Sequence, residues 1–165
     1  MSTTPTSPQE NPLLRFLART PVRTFLLMPI AVVAAELLLG GGRIAVEPGG
    51  VVLLAWGYLQ YRLSGQYRTR IGGGGPGIEV PPERLVTSGI YRFTRNPMYL
   101  GHLIFMLGLV VMLHSWVALA LLVVMAVWFD RRVRDDEARM RERFGEAYAE
   151  YARRTARWVP GLWVV

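Results

Sequence analysis

Hydrophobic positions fall into four runs separated by polar or glycine-rich breaks. The first, VRTFLLMPIAVVAAELLLG, spans Val22 to Gly40. Pro29 is placed to kink it, which a membrane helix tolerates when neighbours satisfy the freed carbonyl. The segment GGRIAVEPGG then breaks the helix. A second run from Val51 to Leu63 is shorter than the ~20 residues a straight span needs, and is expected to continue to about Tyr67. The third runs from about Met98 to Leu113 and the fourth from about Trp116 to Phe129, with His114 and Ser115 making a tight turn between them. These two helices should form an antiparallel hairpin. After Phe129 the chain turns abruptly polar, yet Val133, Met140, Phe144, Ala147 and Tyr151 recur at helical spacing. The fourth helix is therefore expected to run on into water as a long or kinked amphipathic helix. The pattern predicts an all-α, polytopic membrane bundle of about four transmembrane helices with a cytoplasmic C-terminal helical tail.

Outside these runs, Met1 to Pro12 is rich in Ser, Thr and Pro and should be disordered or loosely attached. It lacks the basic start and immediate apolar core of a secretory signal. Asn11 to Pro21 reads equally as an interfacial amphipathic helix or as an ordinary helix packed on the bundle. Residues 1–20 thus form a flexible N-terminus, and 21–165 one membrane domain with its catalytic region at 83–160. Between the second and third runs lies RIGGGGPGIEVPPERLVTSGIYRFTRNP, too long for a turn; such loops are usually functional. Its GGGG run, from Gly72, reads as flexible loop and not a phosphate cradle, since no strand precedes it.

Composition narrows the class. A chain of 165 residues allows one domain, and 52% of them are hydrophobic, yet it carries 19 basic residues, all Arg, against 12 acidic ones, a net charge of +7. That charge alone would permit nucleic-acid binding. The arginines instead flank the apolar runs, so the expected partner is a lipid bilayer and not nucleic acid. Only Arg43 lies in the first-to-second or third-to-fourth connection. By the positive-inside rule both termini and the glycine-rich loop face the cytoplasm. The lysine-free composition hints at a GC-rich bacterial genome, which places the chain in a bacterial inner membrane. Cysteine is absent, excluding disulfides, thiolate nucleophiles and cysteine metal sites. His102 and His114 are too few for a zinc site, so no metal is expected.

The hairpin brings chemistry together. The third helix leaves the cytoplasmic face and the fourth returns to it, so Asn96 to Gly101 should lie beside Asp130 to Glu137. One face then offers backbone donors, aromatic rings, arginines and carboxylates, which is what a polar cofactor requires at a membrane surface. Glu36, deep in the first run, is a functional candidate because a carboxylate in lipid is costly, or it sits near the far interface. His102 could contact cofactor or substrate, whereas His114 is expected at the interface. Tyr148 and Tyr151 are expected to pack against the bundle. Asp135, with Arg131, Arg139 and Arg141 at helical spacing from the acidic run, is expected on a solvated face.

The string LVTSGIYRFTRNPMYLG, followed after the fourth run by DDEARMRERFGEAYAEY, resembles the isoprenylcysteine carboxyl methyltransferase and phospholipid methyltransferase family. Its pattern is an Arg-His/Asn-Pro-x-Tyr-x-Gly segment, a Glu-Glu pair, then Phe-Gly-x-x-Tyr-x-x-Tyr. The similarity covers roughly 83–160, nearly half the chain. It implies S-adenosylmethionine as methyl donor, S-adenosylhomocysteine as product and a lipophilic, membrane-borne acceptor. Carried over by position, the cofactor contacts are Arg84, Leu85, Val86, Tyr91, Asn96, Pro97, Met98, Tyr99 and Asp136, and the catalytic residues Arg132, which meets the substrate, and Glu137. Two positions depart from the pattern. Asn96 stands where eukaryotic members have His. Asp136 replaces the usual Glu, which shortens the acid's reach and leaves Glu137 to share its role.

The donor is a zwitterion carrying a sulfonium and an adenosine. Arg or backbone N–H groups suit its carboxylate, an acid its ammonium or ribose, and the faces of Tyr91 and Tyr99 its sulfonium. A bidentate Arg132 suits a substrate carboxylate; an amine acceptor would need Asp136 or Glu137 to help remove its proton. Beside an isoprenylcysteine-type carboxylate stand a phospholipid amine as acceptor, an inactive membrane scaffold, and a sterol-type reductase using NADPH. The last is disfavoured by the tyrosine-containing tail.

Overall fold

A computed structural model describes residues 16–159, apart from Ala18, 41–43 and Pro76. The readings placed on Met1 to Pro12 and on Arg43, and most of the interfacial helix expected over Asn11 to Pro21, lie outside the described residues. Within them the chain forms five helices. These are α1 (Thr20–Leu39), α2 (Gly49–Gly72), α3 (Pro97–Leu113), α4 (Trp116–Phe144) and α5 (Glu146–Arg154). A short 3-10 turn at Gly89–Arg92 precedes α3, and the described residues contain no strand, only an isolated bridge between Thr94 and Ala156.

The kink expected at Pro29 is resolved as a widened turn. Pro29 lacks an N–H and its ring crowds the carbonyl four residues back. Arg23–Leu27 adopts π geometry, with the N–H of Met28 reaching the carbonyl of Arg23. The extra residue per turn makes room for the ring while α1 stays continuous.

α2 is longer than its hydrophobicity suggested, 24 residues ending at Gly72, so Arg68 and Arg70 belong to the helix along with Arg62, which was expected in it. Its packed face is built of small and polar residues, Gly50, Gly57, Gln60, Ser64 and Gly65. That face lies against α3 in the most extensive helix contact of the bundle. A Cβ at Gly57 would lie 2.4 Å from the Phe105 nitrogen and 2.6 Å from the Gly101 carbonyl oxygen. Small residues let membrane helices approach to backbone contact in this way.

α3 and α4 form the predicted hairpin. His114 takes the left-handed conformation at the end of α3, and the Ser115 hydroxyl accepts from the Ala118 N–H at the start of α4. Ser115 also donates to Glu36, so Glu36 ties the far end of α1 to this turn. α4 runs 29 residues, out of the apolar core and into the charged segment. The amphipathic pattern does not continue as one helix: Gly145, at φ 54°, ends α4 and starts α5. After the break Ala147 is exposed, contrary to its expected place on the apolar face, while Tyr148 and Tyr151 are buried as expected.

The core has two clusters: Ile78, Met98, Tyr99, Met106, Met125, Phe129 and Val133, with Met28, Tyr61 and Trp158 packed on it, and, nearer the α3–α4 turn, Val32, Leu109, Leu113 and Ala118. α1 spans 20 residues at mean hydropathy 2.0, long and apolar enough to cross a membrane, and is alone in that among the described residues; α3 is apolar at 17 residues. α2 and α4 are longer, but each carries arginines along one half.

Candidate active site

Pro97 opens α3, where its fixed φ suits the first turn and its missing N–H costs nothing. That turn lays Met98 and Tyr99 against α4. The Tyr99 ring meets Phe129 edge-on at 5.2 Å, and its hydroxyl donates to Asp136 Oδ2 at 2.5 Å. Asp136 also pairs with Arg139 and lies 3.9 Å from Arg132 Nε. The expected juxtaposition of the Asn-Pro-Met-Tyr corner and the acidic run is thus present.

Consecutive helical residues point about 100° apart, so Glu137 serves a different cluster. It is 4% exposed. Arg95 binds both its oxygens, Nε to Oε1 at 2.9 Å and Nη2 to Oε2 at 3.1 Å. Asn96 Nδ2 reaches Oε1 at 3.2 Å and Arg157 Nε reaches Oε2 at 3.2 Å. Arg95 Nη1 continues to the carbonyls of Ala152 and Thr155 at 2.8 and 2.6 Å. One carboxylate therefore gathers the start of α3, the middle of α4 and the segment after α5.

The loop from Gly73 to Asn96 closes back on α2. The Gly72 carbonyl accepts the N–H groups of Glu83 and Arg84, both at 2.8 Å. This reversal needs Gly73 at φ 75°, which side-chain-bearing residues rarely adopt. Arg68 donates to the carbonyls of Gly75, Gly77 and Val80. Glu79 accepts from Thr20 Oγ1 at 2.9 Å. The glycine run is held in place, in contrast to the free loop expected of it.

Loop, corner and α4 enclose a cavity of about 470 Å³. Leu85, Val86, Tyr91, Asn96, Pro97, Met98, Tyr99, Asp136 and Glu137 all border it. Two residues expected at the site do not. Arg84 is exposed beside Gly72, and Arg132 lies behind Asp136, its Nε buried without a hydrogen bond among the described residues. The cavity adds residues not expected to line it: Arg68, Ile78, Glu79, Pro81 and Pro82 from α2 and the loop, Arg95, and, from α4, Glu142 and Arg143 together with Arg139, expected on a solvated face, and Met140, expected only on the apolar face of the helix. Only Arg95 carried a signal, standing directly before the Asn-Pro pair.

Tyr148 and Tyr151 pack on each other, ring centroids 5.9 Å apart, and also border the cavity. The Tyr151 hydroxyl donates to the Tyr91 carbonyl at 2.6 Å, and the Tyr91 hydroxyl to the Ser64 carbonyl at 3.3 Å. Burial raises the Tyr91, Tyr148 and Tyr151 phenols above their ordinary range, helped at Tyr148 by the negative charge of Glu137 and at Tyr151 by Tyr148. All three are neutral at physiological pH, and Tyr91 and Tyr151 are engaged as hydrogen-bond donors. The wall thus offers three kinds of group: arginines and carboxylates at the mouth, aromatic faces at the side, and Met98 and Pro97 toward the apolar core.

A sequence model of the phospholipid methyltransferase family matches residues 49–147, from the first residue of α2 into α5. Among curated proteins, protein-S-isoprenylcysteine O-methyltransferase B of Arabidopsis thaliana is 40% identical over 78 residues, 47% of this chain and 40% of that protein. Protein-S-isoprenylcysteine O-methyltransferase of Schizosaccharomyces pombe is 35% identical over 78 residues, 46% of this chain and 33% of that protein. Cobalt-zinc-cadmium resistance protein CzcN of Cupriavidus metallidurans is 38% identical over 79 residues, 47% of this chain and 36% of that protein. The match therefore spans well under half the length of each of these relatives. With most of the chain matched from α2 to α5, and the Asn-Pro-Met-Tyr corner closed on the acidic run, this protein belongs to the phospholipid methyltransferase family.

Proposed function

We propose that this chain is an integral membrane enzyme that transfers a methyl group from S-adenosylmethionine to a lipophilic, membrane-borne acceptor of the isoprenylcysteine carboxylate type or a related small hydrophobic molecule. The observation that carries this reading is the contact between Tyr99 and Asp136 on the wall of the cavity where the apolar helices end. Charged groups at its mouth suit a zwitterionic nucleoside, and apolar residues at its inner end suit a lipid-borne partner.

S-adenosylmethionine supplies an electrophilic methyl on a sulfonium, so the chain's task is positioning and charge placement. Leu85, Val86, Pro97 and Met98 shape the wall, with Arg84 at its edge. Tyr91 and Tyr99 present ring faces to positive charge. Asp136, oriented by the Tyr99 hydroxyl, takes the ammonium or ribose of the donor. Asn96 is held by Glu137 and the Arg157 carbonyl, so Glu137 acts by fixing this corner. Arg132, with an unused Nε beside Asp136, swings to hold the acceptor carboxylate. A phospholipid amine, the second acceptor class, is favoured by the family's own description; its proton would pass to Asp136, since Glu137 is engaged on both oxygens. In the membrane the apolar portions of α1 to α4 form four spans, with both termini and the cavity on the cytoplasmic side of a bacterial inner membrane.

Calorimetric titration of detergent-purified protein with S-adenosylhomocysteine and, separately, NADPH tests the reading. Micromolar binding of the first alone is expected. Binding of neither leaves the scaffold, and binding of NADPH alone the reductase. Arg132→Ala should abolish turnover with cofactor affinity nearly intact, while Asp136→Ala weakens cofactor binding. Equal loss of cofactor binding in both variants contradicts this division of roles.

A further inference from the structure

A second cavity, of about 480 Å³, opens along α2 beside Ile90. Its wall follows the helix in steps of three and four residues: Trp56, Leu59, Leu63, Tyr67 and Arg70. Trp56, Leu59 and Leu63 are each about half exposed. Arg70 is the one charged residue on this wall among the described residues, and no carboxylate stands there. The groove is therefore apolar at one end and cationic at the other, with aromatic residues of the kind that collect at membrane interfaces.

Ser64 adds a directed donor. It borders the groove and is 1% exposed, and its hydroxyl has no hydrogen-bond partner among the described residues. Buried hydroxyls are ordinarily satisfied, and within a helix they commonly bond the carbonyl four residues back, as Thr69 does to Gly65. Ser64 stands ~9 Å short of Arg70 along the helix axis and ~12 Å beyond Trp56. From the apolar end outward the order is thus hydrocarbon surface, hydroxyl donor, guanidinium. A glycerophospholipid presents acyl chain, ester carbonyl and phosphate in that same order.

The groove is separate from the donor cavity. Gln60 and Ser64 border the groove, whereas Pro97 and Tyr91 border the cavity. Gln60 Nε2 donates to the Pro97 carbonyl at 3.0 Å, and the Tyr91 hydroxyl to the Ser64 carbonyl at 3.3 Å. This layer of bonded residues stands between the two spaces. We propose that the groove binds an anionic phospholipid of the cytoplasmic leaflet as a ligand and not as methyl acceptor, with its phosphate on Arg70, an ester carbonyl accepting from Ser64 and an acyl chain along Leu63, Leu59 and Trp56. The proposal rests on the four-span arrangement given above and not on methyl transfer.

The test uses phosphatidylglycerol, which carries neither an amine nor a carboxylate to methylate. The purified full chain is reconstituted in phosphatidylcholine nanodiscs containing a minor fraction of phosphatidylglycerol or phosphatidylcholine with brominated acyl chains. Bromine quenches nearby tryptophan fluorescence, and subtracting the signal of Trp56→Phe isolates Trp56. Brominated phosphatidylglycerol should associate about fivefold more strongly than brominated phosphatidylcholine, as one arginine at a lipid surface provides. Arg70→Gln should remove that preference. Arg62→Gln, on α2 but outside the groove, should keep it. Wild type should favour ester-linked over ether-linked phosphatidylglycerol about threefold, a single hydrogen bond's worth, and Ser64→Ala should bind the two alike. The proposal is overturned if wild type quenches equally with both headgroups, if the preference survives in Arg70→Gln, or if Arg62→Gln lowers it as much, which is general attraction to a basic surface. Displacement of the lipid by millimolar glycerol phosphate also overturns it, since the site would then take a soluble phosphate ester. Absence of Trp56 quenching by either lipid removes the four-span arrangement together with the proposal.

Discussion

Two neighbouring acids illustrate how much a single helical step decides. Asp136 faces the cavity with a quarter of its side chain exposed, while Glu137 is buried among Arg95, Asn96 and Arg157. Removing one member of a buried ion cluster strands the others, at a cost of about 3–5 kcal/mol. Partly exposed pairs contribute roughly 0–1 kcal/mol. Glu137→Gln is therefore expected to lower unfolding stability in detergent by about 3 kcal/mol. Asp136→Asn should change it by less than about 1 kcal/mol, while weakening S-adenosylhomocysteine binding. Denaturant unfolding of the two variants, alongside calorimetry, decides the matter, and equal destabilisation would contradict the assignment. The acidic pair was legible in the sequence, but its division of labour was not. Residue spacing puts Glu137 near Asn96, yet nothing in the string announces that Arg95 and Arg157 converge on it from either side.

Among the elements, the α3–α4 hairpin and the long reach of α4 follow from hydropathy and a two-residue turn. The full extent of α2 does not. Hydropathy registers large apolar side chains, whereas α2 packs through Gly50, Gly57, Ser64 and Gly65, which carry almost none. Arg68 and Arg70, beyond the expected end near Tyr67, read as loop. The wall from Ile78 to Pro82 was invisible for a related reason: its place beside the cavity is set by Arg68, Gly72 and Thr20, and no periodicity records such contacts. Two glycines make the packing argument testable because they differ in kind. An added methyl at Gly57 meets the α3 backbone at 2.4 Å, while at Gly145 nothing lies within 4 Å but φ is 54°. Gly57→Ala forces two helices apart and should cost about 1–3 kcal/mol as overpacking. Gly145→Ala strains only one residue, again by about 1–3 kcal/mol, but its effect should be confined to the α4–α5 junction. Hydrogen exchange separates them: Gly57→Ala should accelerate exchange along α2 and α3, and Gly145→Ala only around α5. Broad acceleration in the second variant would show that α5 is integral to the bundle.

For the molecule as a whole, the decisive question is where the bilayer ends. Arg62 on α2 and Asp130 on α4 mark the points at which each helix turns from apolar to charged, and the cavity is bordered by residues beyond those points, Arg68 and Asp136. Exposed Leu26, Ile30, Leu38, Val52, Trp56, Val123 and Val124 coat the other half, a surface that water would penalise and lipid would not. On the four-span arrangement proposed above, a single boundary through the apolar-to-charged transitions would put the cavity mouth in water and His102 beneath it in the apolar layer. It also puts Trp116, 81% exposed at the α3–α4 turn, on the opposite side from Glu146. Because the natural chain has no cysteine, Trp116→Cys and Glu146→Cys each introduce one unambiguous label. A membrane-impermeant maleimide added to intact cells should modify Cys only in the Trp116 variant, and added to inverted vesicles only in the Glu146 variant. The positive-inside rule sets that direction, since Glu146 lies among the arginines of α4 and α5. Labelling of both variants from one side would mean that α3 and α4 do not traverse the bilayer as a pair. The cavity would then no longer stand at a water–lipid boundary, and a lipid-borne acceptor could not meet a water-borne donor there.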